Sequence, residues 1–172
     1  MYKRQEEYRP PFYGHINFIN LTKHLISPFT TGYEGSAIES LYPSNTDMFL
    51  AARKQGALGG YVHPWSGDPI RSGYAVARGF PVDLALGAFD YLEVFTSAGH
   101  FTGTAPVWHR ALNCGFRVTA SAGEDSILGL HATPIIGSSR LYAYVGDKLE
   151  WPRYVEAIRR GRTFVTLSLI HI

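Results

Sequence analysis

Histidines and carboxylates stand at or near the ends of three apolar segments of this chain. His63 ends the segment ALGGYVH, Glu93 lies near the end of FDYLEVFT with His100 just beyond it, and Glu124-Asp125 follow FRVTASAG. Neutral imidazole nitrogens and carboxylate oxygens are ligands that Zn, Mn and Fe accept in proteins. If the three segments are strands whose ends meet at one edge, the spacing predicts a metal site there.

Each of these residues also has a purely structural interpretation. His63 alone is more typical of a hydrogen-bonded histidine at a turn, and Glu124-Asp125 after a glycine can cap a turn or a helix. Glu93 needs a partner, since an unpaired carboxylate in an apolar strand is costly. That partner is either an arginine such as Arg117 or a metal ion. The coincidence of all three at predicted strand ends favours a functional site.

The elements that must position these residues repeat one order: a helix, a glycine and a short apolar strand. The repeat is the αβ half of a βαβ array and predicts an α/β fold, whose ligands bind at the carboxyl ends of parallel strands. His15–Leu21, Phe89–Thr96 and Arg140–Val145 are further predicted strands. The three repeats are Ser44–Gln55 with Ala57–His63, Thr104–Cys114 with Phe116–Ala120, and Pro152–Arg160 with Thr163–Leu167.

Capping signals define the starts of two of these helices. Ser44 with Asp47 three residues later predicts a capping box. Thr104 is the predicted N-cap of the next helix, with Pro106 in its first turn. Cys114 closes that helix and is expected to pack against the core.

Length and composition exclude several classes of protein. The 172 residues suit one domain or a large piece of one, and 45% hydrophobic with 17% charged residues excludes a disordered chain or a coiled coil. The net charge of +2 gives no electrostatic reason to expect nucleic acid or an anionic membrane as a partner. The expected partner is a small-molecule substrate. The single cysteine excludes an internal disulfide and any multi-cysteine metal site.

Six segments, in this order, resemble a known family. They run from about Tyr13 to Thr166 and read YGHINFINL, GGYVHPW, LEVF, GFRVTASAGEDS, RLYAYV and AIRRGRTFVT. Together they resemble the metallohydrolases of the PHP (polymerase and histidinol phosphatase) superfamily, in the carbaryl-esterase-like branch called CehA/McbA. The resemblance implies a distorted (β/α)7 barrel with divalent Zn, Mn or Fe ions at its strand ends. It also implies hydrolysis of an ester, amide or phosphoester by a metal-activated water.

The resemblance assigns metal ligands to particular positions. His15 in YGHIN and His63 in YVHPW match ligand positions, and Asp125 matches the aspartate of a Gly-x-Asp segment. Many relatives carry a histidine two residues after that aspartate; here the position is Ile127, and His131 is the nearest substitute.

The remaining polar residues near these positions receive catalytic roles. The resemblance implies that Glu124, Glu93 and His100 orient the ligands or transfer a proton.

The chain departs from the family pattern at both ends. The family opens with a His-x-His pair on a strand, which this sequence lacks, and the final LSLIHI replaces a polar turn. We therefore expect residues 1–166 to be the C-terminal portion of a PHP-like barrel, 167–172 to be a non-native tail, and the missing N-terminal part of the same protein to be a partner. The isolated chain is then expected to have little activity.

Two other functions fit the same residues. One is a degenerate, non-catalytic barrel that binds a ligand or carbohydrate, with Trp65, Tyr74 and Phe101 as stacking surfaces. The other is a deacetylase- or amidohydrolase-like enzyme with a different fold.

Overall fold

A computed structural model describes residues 4–10, 12–25, 41–65, 77–96, 101–127, 129 and 136–167. These residues form a mixed α/β structure that divides into two compact units. The first comprises Met1–Tyr61 and Val76–Asp90, and the second Val62–Ala75 and Tyr91–Ile172. The described elements, in chain order, are β1 Arg4–Tyr8, β2 Ile16–Leu21, α1 Asn45–Arg53, β3 Leu58–Tyr61, α2 Phe80–Ala85, β4 Tyr91–Thr96, α3 Phe101–Asn113, β5 Thr119–Gly123, β6 Arg140–Ala143, α4 Trp151–Arg159 and β7 Thr163–Thr166.

The first unit is an antiparallel β1–β2–β3 arrangement in which Ile16 lies opposite both Tyr8 and Tyr61. Helix α1 packs on it through Phe49, whose ring centroid lies 6.1 Å from that of Phe18 and 5.7 Å from that of Tyr61. Gly59 permits this close approach, because a Cβ there would lie 2.5 Å from Cδ1 of Phe49. The strand sequence LGGY therefore leaves the space that the helix fills.

The predicted capping box of α1 is confirmed. The Ser44 hydroxyl accepts a hydrogen bond from the backbone N–H of Asp47 (3.2 Å), and the Ser44 N–H donates to Oδ2 of Asp47 (3.0 Å). Two backbone donors that helix geometry leaves unpaired are thereby satisfied.

The second unit contains the parallel pair β4–β5, with Glu93 opposite Ser121, and the antiparallel pair β6–β7. Two predicted boundaries here are wrong. Helix α3 begins at Phe101, so Thr104 is a buried residue inside it and not the N-cap. The helix tolerates Pro106 at its sixth position at the cost of one backbone hydrogen bond.

Strand β5 reads TASAG, three residues later than the predicted FRVTA. The strand ends at Gly123, beside Glu93 of the neighbouring strand, where a Cβ would overlap the Glu93 carboxylate. Cys114 lies one residue past α3 and is exposed, so the expectation that it packs is also wrong.

The fold class is confirmed as α/β, but the expected array of parallel strands is found only in part. Of the strand pairs within each unit, β4–β5 is parallel and the others are antiparallel. Strand β1 and helix α2 were not predicted. The described strands of neither unit close into a barrel. None of the described helices is long and apolar enough to cross a bilayer.

Candidate functional site

The second unit brings His63 and Asp125 together. Each lies two residues after a strand, His63 after β3 and Asp125 after β5. Nε2 of His63 is 3.9 Å from Oδ2 of Asp125, and the two side chains are 16% and 53% exposed. The imidazole is thus largely enclosed, while the carboxylate beside it is open to solvent.

The backbone at both residues adopts a conformation that L-residues rarely take. His63 has a φ of 31° and Asp125 a φ of 50°. His63 also precedes Pro64, and a residue in that position normally prefers an extended backbone. Asn20, with a φ of 72°, also lies in this region, and its side chain bonds to the carbonyl of Gly56. Such strained residues concentrate at functional sites, where the surrounding structure enforces them.

Glu93 connects the two sides of this cluster. It lies in the middle of β4, is 6% exposed, and its Oε2 accepts a hydrogen bond from the backbone N–H of His63 (2.6 Å). Its other oxygen lies against Gly123, where a Cβ would overlap it. The partner expected for this carboxylate therefore includes a backbone N–H that the sequence did not indicate. Arg117, the arginine expected as an alternative partner, lies before the amino end of β5, whereas Glu93 stands opposite Ser121 within that strand.

Glu124 is held by a different contact. Its Oε1 accepts a hydrogen bond from the backbone N–H of Ser139 (2.6 Å), just before β6. Ser139 is a residue that the sequence analysis missed, and its backbone role leaves no residue-type signal by which to find it. The bond anchors the segment that presents Asp125.

His15 lies in the first unit, one residue before β2. Its Nδ1 is 3.2 Å from Oε1 of Glu7, which stands opposite Asn17 in the β1–β2 ladder. The residue before it is also fixed, since the Asn45 amide donates to the carbonyl of Gly14 (3.0 Å). Glu7 was missed because β1 reads RQEEY, whose run of charged and polar residues lacks the alternation of a half-buried strand.

Several sequence-predicted residues lie outside the described parts of the chain. These are His100, His131 and Tyr74, together with the side chain of Phe101. Trp65 is described and is only 2% exposed, so the expectation that its ring offers a stacking surface is wrong.

The separation of two donor atoms in the cluster can be compared with that of two ligands on one metal ion. An imidazole nitrogen and a carboxylate oxygen that each bind one ion at about 2.1 Å lie at most about 4.2 Å apart. The 3.9 Å between Nε2 of His63 and Oδ2 of Asp125 is within this limit. The two side chains can therefore share one ion without a change of backbone.

No protein-family model, curated protein or solved structure matches this chain. The function must therefore be inferred from the chemistry of the cluster itself.

Proposed function

We propose that the chain belongs to a metal-dependent hydrolase of ester, amide or phosphoester bonds. His63 and Asp125 are its central metal ligands. The observation that carries the proposal is their approach to 3.9 Å, with both backbones in the left-handed region. We propose with it the finer fold that the resemblance implies, a partial distorted (β/α)7 barrel of the PHP type. The α/β class and the position of both ligands just after strands support that fold.

The cation would be Zn, Mn or Fe, since imidazole and carboxylate suit all three. When bound, such an ion supplies Lewis acidity, which makes water a competent nucleophile at neutral pH. Glu93 is a positioning residue, because its carboxylate holds the backbone of His63. Glu124, held by Ser139 directly before Asp125, is the proposed proton-transfer group.

His15 is proposed as a metal ligand in its own right. Oε1 of Glu7 lies near its Nδ1, and the proposed ligand atom is Nε2. His100 and His131 remain proposed site residues on the resemblance alone.

Metal binding tests the proposal most directly. We expect His63→Ala to weaken the binding of Zn or Mn at least about tenfold in isothermal titration, because a lost ligand is not replaced by water at equal affinity. Asp125→Asn should act in the same direction. His109→Ala is the matched control, since it removes an exposed histidine of α3 outside the cluster.

Hydrolysis of a nitrophenyl ester and a nitrophenyl phosphate gives a second measurement, secondary to metal binding because the chain is expected to have little activity. Metal-dependent hydrolysis that His63→Ala abolishes and His109→Ala retains would support the proposal. Metal affinity equal to that of the parent in both His63→Ala and Asp125→Asn would overturn it.

A further inference from the structure

The second unit contains a cavity of about 710 Å³ that is separate from the His63 cluster. It lies among α3, β4, β5, β7 and the end of α4, and no residue of the cluster lines it. Its volume is within the range of about 300–1,000 Å³ that small-molecule sites occupy.

The walls of this cavity include aromatic and aliphatic side chains together with polar groups that already have hydrogen-bond partners inside the protein. Aromatic rings contribute from three elements: Phe95, Trp108 and Phe164. The Trp108 indole N–H already donates to the carbonyl of Val118 (2.9 Å).

The wall hydroxyls are also engaged within the protein. The hydroxyl of Thr119 donates to the carbonyl of Ile158 (2.8 Å), and that of Thr163 donates to the carbonyl of Ala120 (3.1 Å). These polar groups are satisfied internally, so the walls favour an apolar molecule.

Cationic side chains supply the charge of the lining. Arg117, Arg159 and Arg160 line the cavity together with His109, and none of the described lining residues is an aspartate or glutamate. Glu156 accepts hydrogen bonds from Arg159 (3.0 Å) and Arg160 (2.6 Å). Three guanidinium groups beside one carboxylate leave a local net charge of +2.

We propose that this cavity binds a small amphipathic anion, an aromatic or aliphatic carboxylate or sulfonate. The apolar body packs against the rings, and the anionic head pairs with Arg117 and its neighbours. Arg117 precedes β5, whereas Asp125 follows it, so the two sites use opposite ends of one strand.

Two fluorescent probes with related ring systems test the charge requirement. We expect the anionic probe 8-anilinonaphthalene-1-sulfonate to bind at least about fivefold more tightly than the neutral N-phenyl-1-naphthylamine, which lacks the sulfonate. Arg117→Gln should weaken the anionic probe by about threefold to fivefold, the effect of losing one exposed charge pair. The neutral probe should bind Arg117→Gln as it binds the parent.

Two further variants locate the binding. Lys148→Gln removes the same charge from an exposed turn outside the cavity and should leave both affinities unchanged. Ala105→Trp places a ring in the cavity and should weaken both probes. If Ala105→Trp lowers thermal stability, the comparison of the two probes in the parent and in Arg117→Gln still tests the proposal.

Three results would overturn the inference. These are equal affinity for the two probes, an Arg117→Gln variant that binds the anionic probe like the parent, and a dimer in sedimentation velocity that Ala105→Trp dissociates. The last result would show that the cavity is an interface between two copies of the chain.

Discussion

The Glu93–Gly123 contact is the residue-scale feature on which the proposed site depends most. Glu93 is buried, holds the backbone of His63, and lies where a Cβ on residue 123 would be. Gly123→Ala should therefore displace the carboxylate and break its bond to His63. We expect a loss of about 2 kcal/mol in the free energy of unfolding, the typical worth of a hydrogen bond to a charged group. Urea denaturation measures it.

The double variant Glu93→Asp/Gly123→Ala provides the control. The shorter aspartate makes room for the new methyl group, so the two substitutions together should cost less than the sum of their separate costs. Strict additivity, or a Gly123→Ala variant as stable as the parent, would contradict the interpretation of this contact.

Residue types at strand ends made part of the site predictable. His63 and Asp125 were predicted because imidazole and carboxylate stood where apolar segments end, and Glu93 because a buried carboxylate requires a partner. The partner itself, the N–H of His63, was not predictable, since every residue carries one and only the fold selects which is used. Ser139 was missed for the same reason, because it acts through its backbone N–H. Glu7 was missed because the charged sequence of β1 did not indicate a strand beside His15.

At the scale of elements, the Ser44 N-cap of α1 tests how much a capping residue contributes to the free energy of unfolding. Ser44→Ala removes the hydroxyl that accepts from the Asp47 N–H, and it should cost about 1 kcal/mol. Ser44→Asn keeps an accepting oxygen at the N-cap and should remain close to the parent. The midpoint of urea unfolding separates the two variants. Equal midpoints for both would show that the capping box contributes nothing to stability.

Local signals account for the elements that were predicted and for those that were not. Helices α1 and α4 were located within one or two residues because a glycine follows each of them. A capping box marks the start of α1, and a proline marks the first turn of α4. Strand β5 and the start of α3 were displaced because residue type alone suggested the wrong ends. Thr104 is of a type that often caps helices but lies buried inside α3, and Gly123 lies inside β5, where it leaves room for Glu93. Short apolar strands look alike whether they pair parallel or antiparallel, so the orientation of β2 and β3 could not be predicted.

At the scale of the whole molecule, the sequence predicted the fold class but not the division into units. The hydrophobic content of 45% indicated a folded chain, and the repeated order of helix, glycine and strand indicated the α/β class. The two compact units interleave along the sequence, with 76–90 joined to the first. No linker composition marks such a division, because contacts distant in sequence create it.

A buried polar network makes the stability of the molecule depend on pH. Asp83 of α2 is 2% exposed and accepts hydrogen bonds from the hydroxyls of Tyr61 (2.6 Å) and Thr46. These two bonds connect α2 to β3, which carries Tyr61, and to α1, which carries Thr46. Burial raises the pKa of Asp83 above its ordinary value of 3.8, and the two hydrogen bonds only partly oppose this. The folded state therefore binds this proton more tightly than the unfolded chain does.

This difference in proton affinity fixes the direction of the pH effect. The contribution of Asp83 is fully present below its ordinary pKa and is lost as the pH rises through the raised pKa of the folded state. Asp83→Asn cannot ionise, yet its carbonyl still accepts from Tyr61. Relative to the parent, the variant should gain thermal stability as the pH rises above about 4, and the gain should level off above the raised pKa of folded Asp83. Asp147→Asn, which removes a carboxylate from an exposed turn, controls for net charge. Unfolding temperatures of Asp83→Asn and parent that run parallel over this range would show that the Asp83 carboxylate is not linked to folding, because a shifted pKa must appear as a pH-dependent difference in stability.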